Sequence, residues 1–275
     1  MGTNRGVGGV AASSLTPMPS AKTAIKRVLY PAYESRLVRQ LRDAELPQHV
    51  GVMLDGNRRW ARAAGASTAA GHRAGAANIA PLLDWCDELG IEVVTLWLLS
   101  TDNLNRPTHE LQPLLTIIED VVSELAATGR WRVNPVGALD MLPAATSRAL
   151  KDAAAATREV DGLLVNVAVG YGGRREIADA VRALLQHHAS AGTTIEELAE
   201  ILDVEHIADH LYTKGQPDPD LVIRTSGEQR LGGFLLWQST HSEYYFCEAY
   251  WPDFRRVDFL RALRAYAERH RRFGI

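Results

Sequence analysis

Strand-like and helix-like segments alternate along most of this chain. Short apolar segments suited to buried strands lie at residues 50–54, 92–99, 132–136, 163–169, 221–223 and 244–246. Segments with helical periodicity lie between and after them, at residues 75–89, 110–127, 144–157, 175–187, 195–202 and 257–271. Such alternation requires right-handed crossover connections, so the sequence predicts an α/β fold in which helices flank a mainly parallel sheet of about six strands.

The composition limits the kinds of protein this chain can be. It has 275 residues, 46% of them hydrophobic, which predicts one large domain over residues 24–275 after a disordered tail at residues 1–23. A net charge of −3 argues against nucleic acid as a partner. Cys86 and Cys247 have no metal-binding or redox spacing, and no apolar run is long enough to span a bilayer. These features favour a cytoplasmic protein with inert buried thiols.

An amphipathic basic helix, interrupted at Pro31, is predicted over residues 24–46. Its basic side chains are Lys26, Arg27, Arg36, Arg39 and Arg42. Packing on the domain with a solvated basic face is the simpler interpretation. The alternative is peripheral contact with an anionic membrane surface.

Two of the predicted strands end in side chains that suit a phosphate group. Those after the first strand are Asp55, Gly56, Asn57, Arg58 and Arg59; those after the fifth are Arg224, Thr225, Ser226, Gly227, Arg230, Gly232 and Gly233. Guanidinium groups, hydroxyls and unhindered backbone amides all bind phosphate oxygens. Asp55 would repel a phosphate unless a metal ion lay between them, so we interpret it as a magnesium ligand. Two such strand ends suggest two phosphorylated substrates.

Two further segments are less specific. The second strand is followed by a polar loop at residues 100–107, which contains Asn103 and Arg106. A loop that caps the next helix explains its composition, but not why both side chains follow a strand toward the same sheet edge. His72, before a helix, is as consistent with a cap or core position as with phosphate contact.

Together these motifs resemble the cis-prenyltransferase family of undecaprenyl diphosphate synthase-like enzymes, and above all its actinobacterial short-chain branch, which makes (2Z,6E)-farnesyl diphosphate. The resemblance covers about residues 48–274. The matching segments are DGNRRWA (55–61), GHRAG (71–75), LLSTDNLNRP (98–107), NVAVGYGGRREI (166–177), PDPDLVIRTSGEQRLGGFLLWQ (217–238) and Glu243–Phe246. They stand in the family's order and approximate spacing.

The resemblance implies a magnesium-dependent condensation of isopentenyl diphosphate with an allylic diphosphate, carried out by a homodimer with its interface near the fifth and sixth strands. It implies that Asp55 binds Mg²⁺ at the allylic diphosphate, that Glu243 makes a second magnesium contact, and that Asn103 assists proton removal. The implied substrate-binding residues are Gly56, Asn57, Arg58, Arg59, Trp60, His72, Ser100, Thr101, Asp102, Arg106, Arg224, Arg230, Leu231 and Gly232. A glycine-arginine segment of one subunit is expected to complete the other's site.

The chain departs from the family pattern at three positions. Thr68 stands where the family usually has a basic residue, Gly232 where serine is common, and Leu104 where an aromatic residue is frequent. None of them replaces Asp55 or Arg230, so we expect activity to be retained.

Leu98 is expected to control product length. Long-chain relatives tend to have a small residue there, and a leucine would fill the hydrocarbon tunnel close to the site. The expected product is a fifteen-carbon chain made from a ten-carbon primer, geranyl diphosphate. The alternatives are a long-chain polyprenyl diphosphate synthase, an irregular condensation of five-carbon units, and a noncatalytic scaffold, which the presence of Asp55 and Arg230 disfavours.

Overall fold

Six parallel strands form one sheet at the centre of the computed structural model, which describes residues 21–273. In chain order they are β1 His49–Met53, β2 Val93–Ser100, β3 Arg132–Val136, β4 Leu164–Tyr171, β5 Leu221–Arg224 and β6 Glu243–Phe246. Their order in the sheet is β3-β4-β2-β1-β5-β6. The α/β fold with about six strands is confirmed.

Ten α-helices in the described part of the chain flank this sheet. They are α1 Ala21–Leu41, α2 Asn57–Ala63, α3 Thr68–Ala77, α4 Ile79–Glu88, α5 Thr108–Ala127, α6 Ala144–Ala156, α7 Gly173–Ser190, α8 Ile195–Ile201, α9 Val204–Ala208 and α10 Arg256–Phe273. No helix among the described residues is long and apolar enough to cross a membrane.

The strand order places three strand ends side by side. β1 pairs with β2 on one side and with β5 on the other, so Met53 is in register with both Trp97 and Arg224. The chain leaves β1 toward α2 and leaves β5 toward a long loop, which opens a crevice beyond their carboxyl ends. Ligand sites in parallel sheets form at such a crevice.

Two predicted helices differ from the structure. The helix expected over residues 75–89 is two helices that meet at Asn78, whose Nδ2 donates hydrogen bonds to Trp251 O at 2.9 Å and Phe254 O at 2.8 Å. These tertiary hydrogen bonds fix a bend that periodicity does not show. The basic helix begins at Ala21 and continues through Pro31 without the expected interruption. The predicted tail overlaps this helix at residues 21–23, and residues 1–20 lie outside the described part of the chain.

The basic helix α1 packs on α10, as the simpler interpretation predicted. Leu37 and Leu41 on α1 are buried, and the guanidinium of Arg261 on α10 lies 5.2 Å from the ring centre of Tyr33. These contacts compensate for the backbone hydrogen bond that Pro31 cannot donate.

The core of the sheet contains one buried imidazole. His49 is 1% exposed, and its ring nitrogens lie 2.8 Å from Pro217 O and 2.8 Å from Thr95 Oγ1. Burial lowers the pKa of His49 to about 4. The buried free thiols of Cys86 and Cys247, whose pKa values burial raises, fit the predicted inert cysteines.

We expect the protein to lose stability as the pH falls from about 6.5 to about 4. In that interval the unfolded chain binds a proton at His49 while the folded chain does not, which costs the fold up to about 3 kcal/mol. The midpoint temperature of thermal unfolding should fall steeply as the pH is lowered through this range. The fall should be less steep in His49→Gln. The exposed His187 supplies a control, since His187→Gln should leave the fall unchanged. An equally steep fall in His49→Gln would contradict the assignment.

Candidate active site

A cavity of about 490 Å³ opens where β1, β2 and β5 end. Six arginines and two aspartates line it, namely Arg58, Arg59, Arg62, Arg106, Arg224 and Arg230 with Asp55 and Asp102. The other lining residues are Met53, Leu54, Gly56, Asn57, His72, Trp97, Leu98, Leu99, Ser100, Asn103 and Leu114. Because its positive side chains outnumber the negative ones, the cavity suits polyanionic ligands such as diphosphates.

Asp55 lies at the centre of an ion-pair network in this cavity. Its Oδ2 accepts a hydrogen bond from Arg224 Nη2 at 2.9 Å and lies 3.4 Å from Arg59 Nη2. Arg59 also pairs with Glu228 at 3.0 Å. Burial of Asp55 opposes its ionisation, but hydrogen bonds and positive charge from Arg224 and other neighbours outweigh burial and lower its pKa. Asp55 is therefore an ionised carboxylate at neutral pH.

Ser226 holds this network in a strained backbone conformation. Its φ of 80° lies in the left-handed region that favours glycine, and its amide donates to Ala249 O at 2.7 Å. Its Oγ accepts a hydrogen bond from Arg59 Nη2 at 2.6 Å. Strain of this kind persists where the surrounding structure fixes it, often at a functional site. Ser226 thus keeps the Arg59 guanidinium beside Asp55.

The turn from β1 into α2 leaves backbone amides open to a ligand. Gly56 starts α2 with a φ of 106°, and a Cβ there would lie 2.8 Å from Tyr250 Cδ1. Glycine is therefore required, and no side chain caps the first turn of α2. Uncapped first-turn N–H groups are hydrogen-bond donors for an anion.

His72 and Arg106 crowd the opposite wall of the cavity. Burial, with the charges of Arg106 and Arg58, lowers the pKa of His72 to about 4, so this imidazole is neutral at pH 7. Its Nε2 is buried and has no hydrogen-bond partner among the described residues. Burial and the charge of Arg58 also lower the pKa of Arg106. An anion bound between these groups would relieve the repulsion between the two arginines.

A narrow apolar extension of about 40 Å³ continues from the cavity. It shares Leu54, Asn57, His72, Leu98 and Leu114 with the cavity, and Gly75, Ala76, Ile79, Ile117, Ile118, Val121 and Trp251 complete its wall. Leu98 lines both spaces and therefore lies between them.

Comparison with known proteins assigns this arrangement to a family. The family model described as "Putative undecaprenyl diphosphate synthase" matches residues 53–274. The chain belongs to this family, the cis-prenyltransferases. The match includes all three strand ends that form the cavity.

This cis-prenyltransferase resembles other members of the family over most of its length. It is 68% identical over 247 residues to the (2Z,6E)-farnesyl diphosphate synthase of Thermobifida fusca, a match that covers 90% of this chain and 97% of the relative. It is 62% identical over 250 residues to isoprenyl transferase 1 of Streptomyces avermitilis, which covers 91% and 97%. The chain is therefore a prenyl transferase, as its motifs predicted.

A solved structure shows the same fold. Lavandulyl diphosphate synthase from Lavandula x intermedia, in complex with dimethylallyl diphosphate, matches with a TM-score of 0.75 and 34% sequence identity. The match covers 81% of this chain and 95% of that one.

The structure brings most of the predicted cis-prenyltransferase residues to one cavity. Those that line it are Asp55, Gly56, Asn57, Arg58, Arg59, His72, Leu98, Ser100, Asp102, Asn103, Arg106, Arg224 and Arg230. The loop after β2 is ordered by a hydrogen bond from Asn103 N to Ser100 Oγ at 3.2 Å. The loop does not cap α5 as expected, since Pro107 precedes that helix and no side chain caps its first turn. The role of this segment in the site stays a prediction.

Five predicted residues do not line the cavity. Trp60 and Leu231 lie outside it, and Thr101 lies against Gly172, where a Cβ would be 2.6 Å from Thr101 Oγ1. Gly232 contacts the ring of Trp97 rather than the cavity itself. Glu243 is the fifth.

Glu243 lies at the amino ends of the strands, whereas Asp55 lies beyond their carboxyl ends. It pairs in register with Leu221 at the start of β5, whereas Arg224 at the end of β5 contacts Asp55. Its Oε2 accepts a hydrogen bond from Arg269 Nη1 at 2.7 Å. In a parallel sheet all amino ends of the strands lie on one side and all carboxyl ends on the other. Glu243 therefore cannot share a metal with Asp55 of the same chain.

Sequence analysis missed several lining residues. Arg62 follows Arg58 by four positions on α2, so helical periodicity could have revealed it. Trp97 had no such signal, because strand alternation puts it on the opposite face from Leu98. Both side chains nevertheless line the cavity, at the point where the register between β2 and β4 begins to shift.

Proposed function

We propose that this chain condenses geranyl diphosphate with isopentenyl diphosphate to give (2Z,6E)-farnesyl diphosphate and diphosphate. The observation that carries the proposal is a cavity rich in arginines that continues into a short apolar extension behind Leu98. The cavity suits two diphosphates and a short prenyl chain, because beyond Leu98 only about 40 Å³ of apolar space continues. The name of the Thermobifida fusca relative, at 68% identity, supports the same product.

We further propose that Mg²⁺ is the cofactor and that Asp55 is its protein ligand. Within the described residues no group of three or more His, Cys, Asp or Glu side chains can hold a metal. That fits an ion bound by one carboxylate and substrate phosphate oxygens, which is how Mg²⁺ is usually bound. When bound, Mg²⁺ neutralises charge on the departing diphosphate. Asp55, ionised and in the cavity, has the chemistry this role needs.

Different side chains of the cavity bind the two substrates. Arg58, Arg106 and the first-turn amides of α2 bind the allylic diphosphate, which allows the allylic C–O bond to ionise toward a carbocation. Arg224 and Arg230 hold isopentenyl diphosphate so that its double bond attacks that carbon. A proton then leaves the carbon next to the new bond. Asn103 lines the cavity, and diphosphate oxygens are the alternative proton acceptor.

The primer preference tests this function. We expect kcat/KM with geranyl diphosphate to exceed that with dimethylallyl or farnesyl diphosphate by at least about tenfold, because a ten-carbon chain fills the space up to Leu98. A preference for farnesyl diphosphate with long products would favour the polyprenyl alternative. Condensation of two dimethylallyl diphosphate molecules with each other would favour the irregular reaction. No product from any primer would favour the scaffold.

We propose that the protein is a homodimer formed through the region of β5 and β6. Within the described chain β6 is the last strand of the sheet and pairs only with β5. A magnesium contact from Glu243 then has to be made to the other subunit's site. Light scattering should give twice the chain mass of 30.2 kDa. A monomeric mass with full activity would contradict both the dimer and the role of Glu243.

Contact of α1 with an anionic membrane surface stays a prediction. Arg36 and Arg39 on α1, and Arg42 directly after it, are exposed. Co-sedimentation with anionic and neutral vesicles tests it, and equal binding to both would contradict an electrostatic contact.

A further inference from the structure

Gly232 lies directly against the edge of an indole ring. A Cβ at position 232 would be 3.2 Å from Trp97 Cη2 and 3.3 Å from Trp97 Cζ3. The backbone there has a φ of 61°, so a side chain is disfavoured twice, by conformation and by contact. The next residue, Gly233, has a similar φ of 80° but has only open space around its missing side chain, with Gly173 N at 4.0 Å.

Trp97 is held by packing rather than by a hydrogen bond. Its ring stacks on Phe234 with centroids 5.1 Å apart, and Tyr171 meets it edge-on at 6.4 Å. Its Nε1 is buried and has no partner among the described residues. An indole kept in place despite an unsatisfied donor indicates that its shape is what the site uses.

The indole lies on the arginine side of the cavity, away from the apolar extension. Arg224 Nη1 is 3.9 Å from the same Cβ position at Gly232 that the ring edge approaches. Trp97 lines the cavity with Arg224 and Arg230, but it does not line the extension behind Leu98. Trp97 therefore adds a flat apolar surface beside two guanidinium groups.

We propose that Trp97 is the apolar wall that positions the five-carbon chain of isopentenyl diphosphate. Glycine is needed at position 232 because any side chain there would collide with the indole ring of Trp97. This inference rests on the proposed function and assigns a specificity-determining pair within it. The diphosphate binds Arg224 and Arg230, and the short hydrocarbon lies along the indole. A flat, rigid wall next to the diphosphate orients the double bond toward the allylic carbon. A side chain at position 232 displaces the wall, and with it the substrate.

Four variants test the pair: Gly232→Ala, Gly233→Ala, Trp97→Phe and the double variant Trp97→Phe/Gly232→Ala. Both glycine variants impose the same left-handed strain, but only Gly232→Ala meets the indole. The KM for isopentenyl diphosphate should rise about tenfold in Gly232→Ala, equivalent to about 1.4 kcal/mol, and less than about twofold in Gly233→Ala. Phenylalanine keeps the stack on Phe234 but lacks the ring edge at Gly232, so the double variant should return to within about threefold of the parent.

In all four variants the KM for the allylic primer should change less than about twofold. That difference separates an effect on one substrate from a nonspecific disturbance of the whole site. Both glycine variants should unfold well above the assay temperature, which excludes global unfolding as the cause. Equal KM values in the two glycine variants, no recovery in the double variant, or equal rises for both substrates would overturn the proposal. If the parent protein condenses no prenyl diphosphates, and calorimetry shows no binding of isopentenyl diphosphate, the proposed function fails and the wall fails with it.

Discussion

Asp55→Asn should lower kcat by about a thousandfold, equivalent to about 4 kcal/mol of transition-state stabilisation. The substitution keeps the size of the side chain but removes the charge that faces Arg224 at 2.9 Å and Arg59 at 3.4 Å. It also removes the carboxylate proposed to bind Mg²⁺. Without the bound ion, only the two arginines are left to neutralise the charge on the departing diphosphate. Steady-state kinetics over a range of magnesium concentrations measures the effect.

The control for Asp55→Asn is Asp84→Asn. Asp84 is also paired with an arginine, Arg130 at 2.7 Å, but it does not line the cavity. This control changes the net charge equally and should leave kcat within about twofold, since exposed pairs contribute little. A loss of less than tenfold in Asp55→Asn would show that Asp55 does not bind the essential metal.

Leu98→Ala should lengthen the product beyond fifteen carbons. Leu98 lines both the cavity and the extension, so its removal joins the two spaces along the wall formed by Leu114, Ile118 and Val121. A growing chain can then pass the position where it now stops. We expect products of twenty or more carbons to become the major fraction when isopentenyl diphosphate is in excess. Radiolabelled products separated by chain length give the readout.

Leu96→Ala is the matched control for Leu98→Ala. Leu96 is a fully buried residue of the same strand that lines neither space. Its truncation should cost about 2–5 kcal/mol of stability but leave the product at fifteen carbons. An unchanged product distribution in Leu98→Ala would refute the blocking role of Leu98.

The sheet and most of the cavity could be predicted from the sequence. Each predicted strand agrees with the structure to within two residues, because short apolar segments between helical segments have few alternative structures in an α/β protein. The motifs at residues 55–59 and 224–230, which we predict bind phosphate, begin just after β1 and at the last residue of β5. Since these strands are neighbours, the motifs meet in one cavity.

What could not be predicted depends on tertiary contacts. The break at Asn78 exists because the side chain bonds two carbonyls more than 170 positions away, at Trp251 and Phe254. Trp97 and Leu98 both line the cavity, although strand alternation puts their side chains on opposite faces of the sheet. Glu243 matches the family motif by its position in the sequence, yet it lies at the amino end of its strand, away from Asp55. Sequence spacing identifies such residues but does not place them within one subunit.

The most direct test is to determine the product that purified protein makes from geranyl diphosphate and labelled isopentenyl diphosphate with Mg²⁺. Chromatography gives its length, and nuclear magnetic resonance gives the geometry of the new double bond. We expect a single fifteen-carbon diphosphate with a Z bond at the position formed in the condensation. A new bond of E geometry, or a ladder of long chains, would contradict the proposed reaction at this site.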